Sequence, residues 1–471
     1  MKKALLFLLT IMFISCTDSI LEANQYVDEA KLELTEDENL SIIYGNPRML
    51  DDEEIIGLAK SFASKINFTR NSIPITGTLA KKFFLKKQDL SKTRSGNSSS
   101  DSIPLGVVSL VQNKDSGYAV VFADDRSPCV LAYVPKGKYE DKDSTGAGIM
   151  LKLSEASIIT EVENVDSIVE HNLNNALSKI KQYTGKDSIS VSDARKEIGI
   201  GTRSKVTTTL PTTIYSMVPP VTKTEWSQNS PYNLYLPECY VSTSIGNSKM
   251  HYPAGCGVVA AAQALAATAP NITICETSID WTYLTQKSKV EFESYGGGDT
   301  KAMNMAATLY RDIYEQTGSV PVIDPSFVYG KYEDTSIPGV SGSSMKTSSL
   351  VAYLRKYVSC EDYIDKYDAD ALMLSMSANQ KFPCVAIMGA SRKDETGNLS
   401  SHAWVIDGYA LCKRSTRELV KKYDVYFHAN MGWEGEEDGY YKVNADTSMD
   451  FENANGIYNI DFWEIPEIHQ Y

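Results

Sequence analysis

The spacing of apolar positions predicts a small α+β domain in the first half of the chain. Apolar residues at helical spacing predict an amphipathic helix over 51–66, which carries four acids in its first turn. Two apolar runs separated by the polar turn Asn113–Gly117 predict a β-hairpin, and a strand is expected at 130–134. A second helix is expected at 164–183, with one apolar face. We assign residues 51–200 to this domain.

In the second half, helical patterns come first and strand patterns follow. Tyr252–Ala269 is an Ala-rich run that Pro270 ends, and it predicts a helix beginning at or next to Cys256. Further helices are expected after Asp299, at 346–357 and at 368–378. The expected strands are 382–388, 402–409, 423–430, 439–443 and 457–462. Helices followed by an antiparallel sheet indicate a second α+β domain over 221–471.

Residues 201–220 separate the two parts. This stretch shows no periodicity, is rich in Thr and Pro, and contains the basic residues Arg203 and Lys205. Such composition is typical of an exposed linker that proteases cut. We place the domain boundary and a processing site in this linker.

The N-terminus has the pattern of an export signal. Met1-Lys2-Lys3 is followed by an apolar run from Ala4 to Ile14, which is too short to span a bilayer. Ser15 directly before Cys16 resembles a bacterial lipoprotein processing site, so we expect residues 1–16 to be the signal and Cys16 to carry lipid. The alternative is ordinary signal cleavage that discards Cys16. Residues 17–50 are polar and acidic and are interpreted as a tether.

Composition narrows the classes of function. The chain has 471 residues, which favours two or three domains, and a net charge of −14 that argues against a nucleic-acid partner. Seven cysteines follow Cys16, and no two have a C-x-x-C spacing, so neither a disulfide framework nor a zinc site is expected. The chain contains no H-E-x-x-H pair, G-x-S-x-G elbow or phosphate loop. We therefore expect no metal and no cofactor.

One group of residues has the types that cysteine catalysis requires. A cysteine at a helix N-terminus has its thiolate stabilised by unpaired N–H groups and the helix dipole, although Cys256 could equally be a small buried residue. His402 opens a predicted strand, and Asn430 ends the next one. A cysteine nucleophile needs a base and a third group that orients the base. Cys256, His402 and Asn430 are therefore candidates for these three roles.

Two histidines compete with His402 for the role of base. His251 is close to Cys256 in sequence, but it precedes the Pro-Ala-Gly turn and is expected to point away. His428 lies two residues before Asn430 on the same face of a strand and stays possible. Among the competing cysteines, Cys384 and Cys412 lie in or beside apolar strands and are interpreted as core.

The second part resembles the streptopain family of secreted bacterial cysteine peptidases, which have a papain-like fold. Four ordered blocks carry the resemblance, and the stretch Gly117–Pro128 resembles the propeptide of the same family. The four blocks are Trp226-Ser-Gln228-x-x-Pro231-Tyr-Asn233, Ala254-Gly-Cys256 with Ala260–Gln263, His402-Ala-Trp-Val-Ile-Asp-Gly408, and His428-Ala-Asn430-Met-Gly-Trp433-x-Gly435 followed by Asp438-Gly-Tyr440.

The resemblance implies a role for each site residue. Cys256 would be the nucleophile, His402 the general base and acid, Asn430 the group that orients the imidazole, and Gln228 an oxyanion-hole donor. It also implies an exported zymogen that hydrolyses protein or peptide substrates. Its own propeptide would act as an intramolecular inhibitor, and its only membrane contact would be the lipid at Cys16.

Three positions depart from the family pattern. Gly257 replaces an aliphatic residue, Ser401 replaces a Gly, and Met431 replaces the Trp that covers the Asn–His contact, for which Trp433 is a candidate substitute. Two alternatives therefore stay open. One is a binding or inhibitor protein that keeps the fold without turnover, and the other is a cysteine amidase acting on cell-wall peptides.

Overall fold

The computed structural model covers both predicted parts of the chain. No helix among the described residues is long and apolar enough to cross a membrane. The predicted signal and residues 201–213 of the predicted linker lie outside the residues that the structure describes. The described residues are 32–67, 74–86, 102–112, 114–140, 146–199, 214–243, 246–292, 298–324, 339–365, 368–378, 381–393, 399–413, 423–443 and 460–471.

The helices and the antiparallel strands occur in separate runs along the chain, which confirms the predicted α+β class. The helices are α1 (Glu36–Tyr44), α2 (Asp52–Ile66), α3 (Gly146–Thr184), α4 (Val191–Glu197), α5 (Cys256–Thr268), α6 (Trp281–Leu284), α7 (Thr300–Gln316), α8 (Thr347–Leu354) and α9 (Ala369–Ala378). The strands are β1 (Thr76–Lys86), β2 (Ser102–Gln112), β3 (Asp115–Phe122), β4 (Cys129–Val134), β5 (Ile214–Val218), β6 (Glu238–Thr243), β7 (Gly246–His251), β8 (Thr273–Ile274), β9 (Thr277–Ser278), β10 (Val320–Asp324), β11 (Gly339–Ser344), β12 (Val385–Lys393), β13 (Leu399–Lys413), β14 (Tyr423–Asn430), β15 (Gly439–Val443) and β16 (Ile460–Ile468).

The first predicted helix is confirmed as α2, and its start is fixed by a capping box. The Asp51 side chain accepts a hydrogen bond from the Glu54 backbone N–H, and the Glu54 carboxylate accepts one from the Asp51 N–H. These bonds satisfy backbone donors that the helix start would otherwise leave unpaired. The apolar face, with Leu58 and Phe62, packs in a core cluster with residues of β2, β3 and β4.

Two predictions in the first domain were wrong at their boundaries. Helix α3 begins at Gly146 and not at residue 164, because its first half is buried on most sides and shows no polar stripe that periodicity can detect. The hairpin turn is shorter than predicted, since β3 already begins at Asp115. Gly117 lies inside β3, where a Cβ would come within 2.1 Å of the Val134 carbonyl oxygen.

Helix α5 is the buried centre of the second part. Almost all of its side chains are buried, and it packs against α7, α8, β12 and β13. The predicted strands 423–430 and 439–443 coincide with β14 and β15, whereas β12 begins three residues later than expected. Residues 457–459 of the last predicted strand lie outside the described residues, and the rest of it falls in β16. The core cluster around α5 also contains Trp226, Tyr310 and Leu354.

One antiparallel sheet runs through both parts of the chain. Its strand order is β1-β2-β3-β4-β15-β14-β13-β12-β16, and β5 pairs with β13. The two parts join where β4 pairs with β15, with Tyr133 opposite Tyr440. The prediction that 214–218 belongs to the linker was wrong, because β12 covers β13 only as far as Ile406 and leaves residues 409–412 free to pair with β5.

Helix α3 connects the cores of the two parts. Its residues Leu153 and Ile158 lie in one cluster with Trp404 and Phe427 of the second part, and all four are fully buried. The first domain therefore packs on the second over a shared apolar core.

Candidate active site

The fold places Cys256 at the first position of α5. The preceding Gly255 has a φ of 91°, and a Cβ there would lie 2.2 Å from the Ser343 carbonyl oxygen, so only glycine fits. The thiol faces three backbone N–H groups, those of Ala403, Gly257 and Cys256 itself. These donors are arranged to stabilise a negative charge on sulfur, or on an oxyanion beside it.

His402 is fixed by a backbone carbonyl. It lies in β13 opposite Ala390, is 7% exposed, and donates from Nε2 to the Met431 carbonyl oxygen at 3.0 Å. Because a carbonyl can only accept, Nε2 carries the proton and Nδ1 of the neutral ring is a free acceptor. Burial lowers the pKa of His402 to about 4, against an opposing contribution from the bond to Met431. The imidazole is therefore neutral at pH 7.

Cys256 is also uncharged in this arrangement. Burial raises the pKa of its thiol, although the three backbone N–H groups act in the opposite direction. Both residues lie in the described part of the chain, and no hydrogen bond joins the thiol to the His402 imidazole there. The contact of the thiol with the Ala403 N–H nevertheless places it beside the residue that follows His402. The pair is adjacent but in its neutral form.

Asn430 ends β14 as predicted, but its side chain bonds to groups other than His402. Its Oδ1 accepts from Nε2 of Gln263 at 2.8 Å and from the Gly432 backbone N–H at 3.1 Å. Its Nδ2 donates to the Thr224 carbonyl oxygen at 2.8 Å. A direct hydrogen bond from Asn430 to the imidazole, which the resemblance implies, is not formed among these described residues. The Met431 carbonyl occupies that position, and the role of Asn430 stays a prediction.

Gln228 is tied by its backbone to the segment before the cysteine. Its carbonyl oxygen accepts from the Ala254 N–H at 2.9 Å, two residues before Cys256. The half-buried side chain reaches β11, where its Oε1 lies 3.4 Å from the point that a Cβ on Gly342 would occupy. This placement is compatible with an oxyanion-hole donor, and that role stays a prediction.

Each departure from the family pattern has a structural counterpart. A Cβ on Gly257 would lie 3.1 Å from Cε of Met345, so the methionine fills the space of an aliphatic side chain there. Ser401 is exposed and forms a cross-strand hydrogen bond with Ser391 at 2.8 Å. The Trp433 ring lies 4.8 Å from the His402 ring, centroid to centroid, and covers it beside the buried Met431.

The competing residues have other partners. Nδ1 of His251 contacts the Leu236 carbonyl oxygen at 2.7 Å, and Nδ1 of His428 contacts Asp407 at 2.6 Å. Burial lowers the pKa of His428, but the charge of Asp407, the hydrogen bond to it and the charge of Asp438 together raise it overall. Cys384 and Cys412 are buried as expected, and burial raises the pKa of each thiol to about 12.

Gly146, the first residue of α3, was not among the predicted site residues. A Cβ on Gly146 would lie 2.4 Å from Cδ2 of His402 and 2.8 Å from the Met431 sulfur. The first domain therefore reaches the site itself and contacts the imidazole. The only sequence signal was the run Gly146-Ala-Gly148, which permits close approach of a backbone.

Comparisons with known proteins find a family match for the second part of the chain. Residues 226–441 match the model of the peptidase C10 family, the family of streptopain. Among solved structures, one similar chain is the active wild-type interpain A cysteine protease of Prevotella intermedia. It is 21% identical, the match covers 54% of this chain and 94% of that one, and the TM-score is 0.33. No curated protein matches the chain.

Proposed function

Since residues 226–441 form a streptopain-like cysteine peptidase domain, we propose that this chain is the inactive precursor of a cysteine endopeptidase. In this proposal, residues 51–200 are an inhibitory propeptide domain. The observation that carries it is the contact of Gly146 with His402, because the first domain thereby covers the base of the reaction.

The geometry suggests how the opened enzyme would cleave a peptide bond. Nδ1 of His402 takes the thiol proton of Cys256, and the thiolate attacks the peptide carbonyl carbon. The N–H of Cys256 and the side-chain amide of Gln228 would then stabilise the oxyanion. His402 returns the proton to the leaving amine and leaves a thioester. A water molecule, deprotonated by His402, hydrolyses the thioester and regenerates the thiol.

The closed form opposes this chemistry in two ways. Burial favours the neutral thiol and the neutral imidazole, as the raised pKa of Cys256 and the lowered pKa of His402 indicate. In addition, the first residue of α3, Gly146, lies against His402. The positive end of the helix dipole therefore faces the imidazole and disfavours an imidazolium ion. Removing α3 would uncover the imidazole at Gly146 and take away the helix dipole.

A buried ionic cluster supports tight docking of the first domain. Lys442 of β15 is 1% exposed and contacts Glu161 of α3 at 2.9 Å and Asp424 at 3.5 Å. Glu161 also accepts from Ser127 at 2.6 Å, and Ser127 belongs to the stretch that resembles the family's propeptide. The hydroxyl of Ser154 in α3 donates to the Lys442 carbonyl oxygen at 2.6 Å.

Activation would follow cleavage before β5. Arg203 and Lys205 lie upstream of Ile214, so a cut beside them would leave β5 in the peptidase chain and its pairing with β13 intact. The first domain would then be held by non-covalent contacts alone and could dissociate.

Export and a lipid anchor at Cys16 complete the proposal. The apolar run before Ser15-Cys16 supports it, and residues 1–31 lie outside the described part of the chain. Cells fed labelled palmitate should label the wild-type protein and not a Cys16→Ala variant. Equal labelling of both proteins would exclude this anchor.

The peptidase activity itself is tested with two matched cysteine variants of the full chain. Cys256→Ala should abolish hydrolysis of casein after the linker is cut, whereas Cys275→Ala, at an exposed cysteine, should leave it unchanged. Activity that survives in Cys256→Ala would contradict the assignment of the nucleophile. Wild-type protein that cleaves peptidoglycan fragments but not casein would favour the cell-wall amidase instead, and no turnover of either would favour a binding protein.

A further inference from the structure

The Met431 backbone is the element that fixes the catalytic imidazole. Its carbonyl accepts from Nε2 of His402, so the position of this oxygen sets the tautomer and directs Nε2, while the ring of Trp433 packs on the imidazole. The residue lies immediately after β14 and outside any regular element, and Gly432 beyond it has a φ of 73°. Sheet pairing therefore does not fix Met431, and other contacts must do so.

One contact holds the peptide group on the C-terminal side of Met431. The carbonyl that faces His402 and the N–H of Gly432 belong to the same planar peptide group. This N–H donates to Oδ1 of Asn430, which is itself held by Nε2 of Gln263. Gln263 is fully buried in α5, two helical turns after Cys256.

A second contact holds the N-terminal side. The backbone N–H of Met431 donates to Oδ1 of Asp438 at 2.7 Å. Burial raises the pKa of Asp438 to about 7, while the bond to Met431 and the charge of His428 lower it and the charges of Asp407 and Glu225 raise it. A carboxyl oxygen can accept this bond in the charged and in the neutral form, so the contact does not depend on ionisation of Asp438.

We propose that Asp438 is a positioning residue of the peptidase, which holds the Met431 backbone so that its carbonyl orients His402. Asp438 acts through Met431 and does not contact the imidazole. The inference rests on the proposed role of His402 as base. Loss of Asp438 should misalign the base in the transition state while leaving the substrate-binding surface intact, so kcat should fall and KM should not change.

Two substitutions at one position separate this role from simple stabilisation. Asp438→Ala removes the acceptor and should lower kcat about 10- to 100-fold at constant KM in the processed full chain. Asp438→Asn keeps an oxygen that can accept from the Met431 N–H, and should retain kcat within about threefold. Glu436→Ala, an exposed residue of the same turn, is the matched control and should behave as wild type. If Asp438→Ala does not fold, Asp438→Ser gives the same test, because its hydroxyl is one atom too short.

A spectroscopic measurement reads the same effect without turnover. The Nε2 proton of His402 should give a downfield NMR resonance in the full chain that persists in Asp438→Asn and is lost in Asp438→Ala. Unchanged kcat and an unchanged resonance in Asp438→Ala would overturn the inference. Equal loss of kcat in the Ala and Asn variants would also overturn it.

The variant His402→Ala distinguishes failure of the positioning role of Asp438 from failure of the proposed function. An inactive His402→Ala beside a fully active Asp438→Ala would remove only the positioning role. Activity in His402→Ala would instead remove the proposed base.

Discussion

Gly146 of the first domain and His402 of the second lie in direct contact. A side chain on Gly146 would collide with the imidazole, since its Cβ would come within 2.4 Å of Cδ2. The residue that begins α3 is thus also the residue that covers the base. In the proposed precursor, this contact would keep the folded peptidase site inactive.

Gly146→Leu should therefore activate the uncut chain. Overpacking costs about 1–3 kcal/mol, and each 1.4 kcal/mol is tenfold in a population, so about tenfold more open protein is expected. The measurement is hydrolysis of a short fluorogenic peptide by uncut protein. Asn164→Leu, at an exposed position of the same helix, is the control and should stay inactive. Equal activity of the two variants would show that the contact does not restrain the site.

Glu161→Ala should loosen the docking of the first domain. It removes the nearer of two acidic partners of the buried Lys442 and leaves Asp424 at 3.5 Å. Breaking a buried ion pair costs about 3–5 kcal/mol, and the remaining partner should keep the loss at or below the low end of that range. Urea unfolding should show this loss, and Glu161→Gln should fall between Glu161→Ala and wild type because it keeps hydrogen-bonding atoms. Glu163→Ala, which is exposed on the same helix, should match wild type. A stability of Glu161→Ala equal to that of Glu163→Ala would contradict a docking role.

Acid should favour release of the first domain. The pKa of His402 is lowered to about 4 in the closed form, so protons bind preferentially to an open form with an ordinary imidazole. The contribution to closure is fully present above about pH 6.5 and is lost as the pH falls towards 4, with an upper limit of roughly 3 kcal/mol. Gel filtration of linker-nicked Cys256→Ala protein should show more dissociation at pH 4.5 than at pH 7. The same protein carrying His402→Ala should lose this difference, and a difference that persists would assign it to other groups.

Gln228→Ala should lower kcat about 100- to 1000-fold in the processed enzyme, because it removes one oxyanion-hole donor. KM should change little, since this interaction forms mainly in the transition state. Steady-state kinetics on a peptide substrate measure both values, with Asn229→Ala, the exposed neighbour, as the control. A rise in KM at constant kcat would assign Gln228 to substrate binding instead.

Local patterns in the sequence predicted the elements that carry the site. The Ala-rich run before Pro270 predicted α5 and placed Cys256 at its start, and β14 was predicted with the bounds it has. The predictions of α5 and of β14 each rest on the residues within that one element. The long-range contacts could not be predicted in this way. Whether His402 bonds to the Asn430 side chain or to the Met431 carbonyl depends on how a short segment after β14 is held.

The start of α3 could not be predicted from the sequence for a second reason. Its first turns are buried on most sides, so apolar residues occur all round the helix and the periodic signal disappears. The contact between Gly146 and His402 joins residues 256 positions apart, and nothing local in the sequence encodes it. Gln263 was seen only as part of a family motif, and its bond to Asn430 required the fold.

The proposal that the first domain restrains a reactive Cys256 is tested by the rate at which iodoacetamide alkylates each cysteine. The rates are measured by mass spectrometry at pH 6, first in the uncut chain and again after the linker is cut and the first domain is removed. Cys275 is exposed and serves as the internal reference. Cys256 is expected to react more slowly than Cys275 in the uncut chain and much faster than Cys275 afterwards. If Cys256 reacts no faster than Cys275 after removal of the first domain, the proposed inhibition of the nucleophile is contradicted.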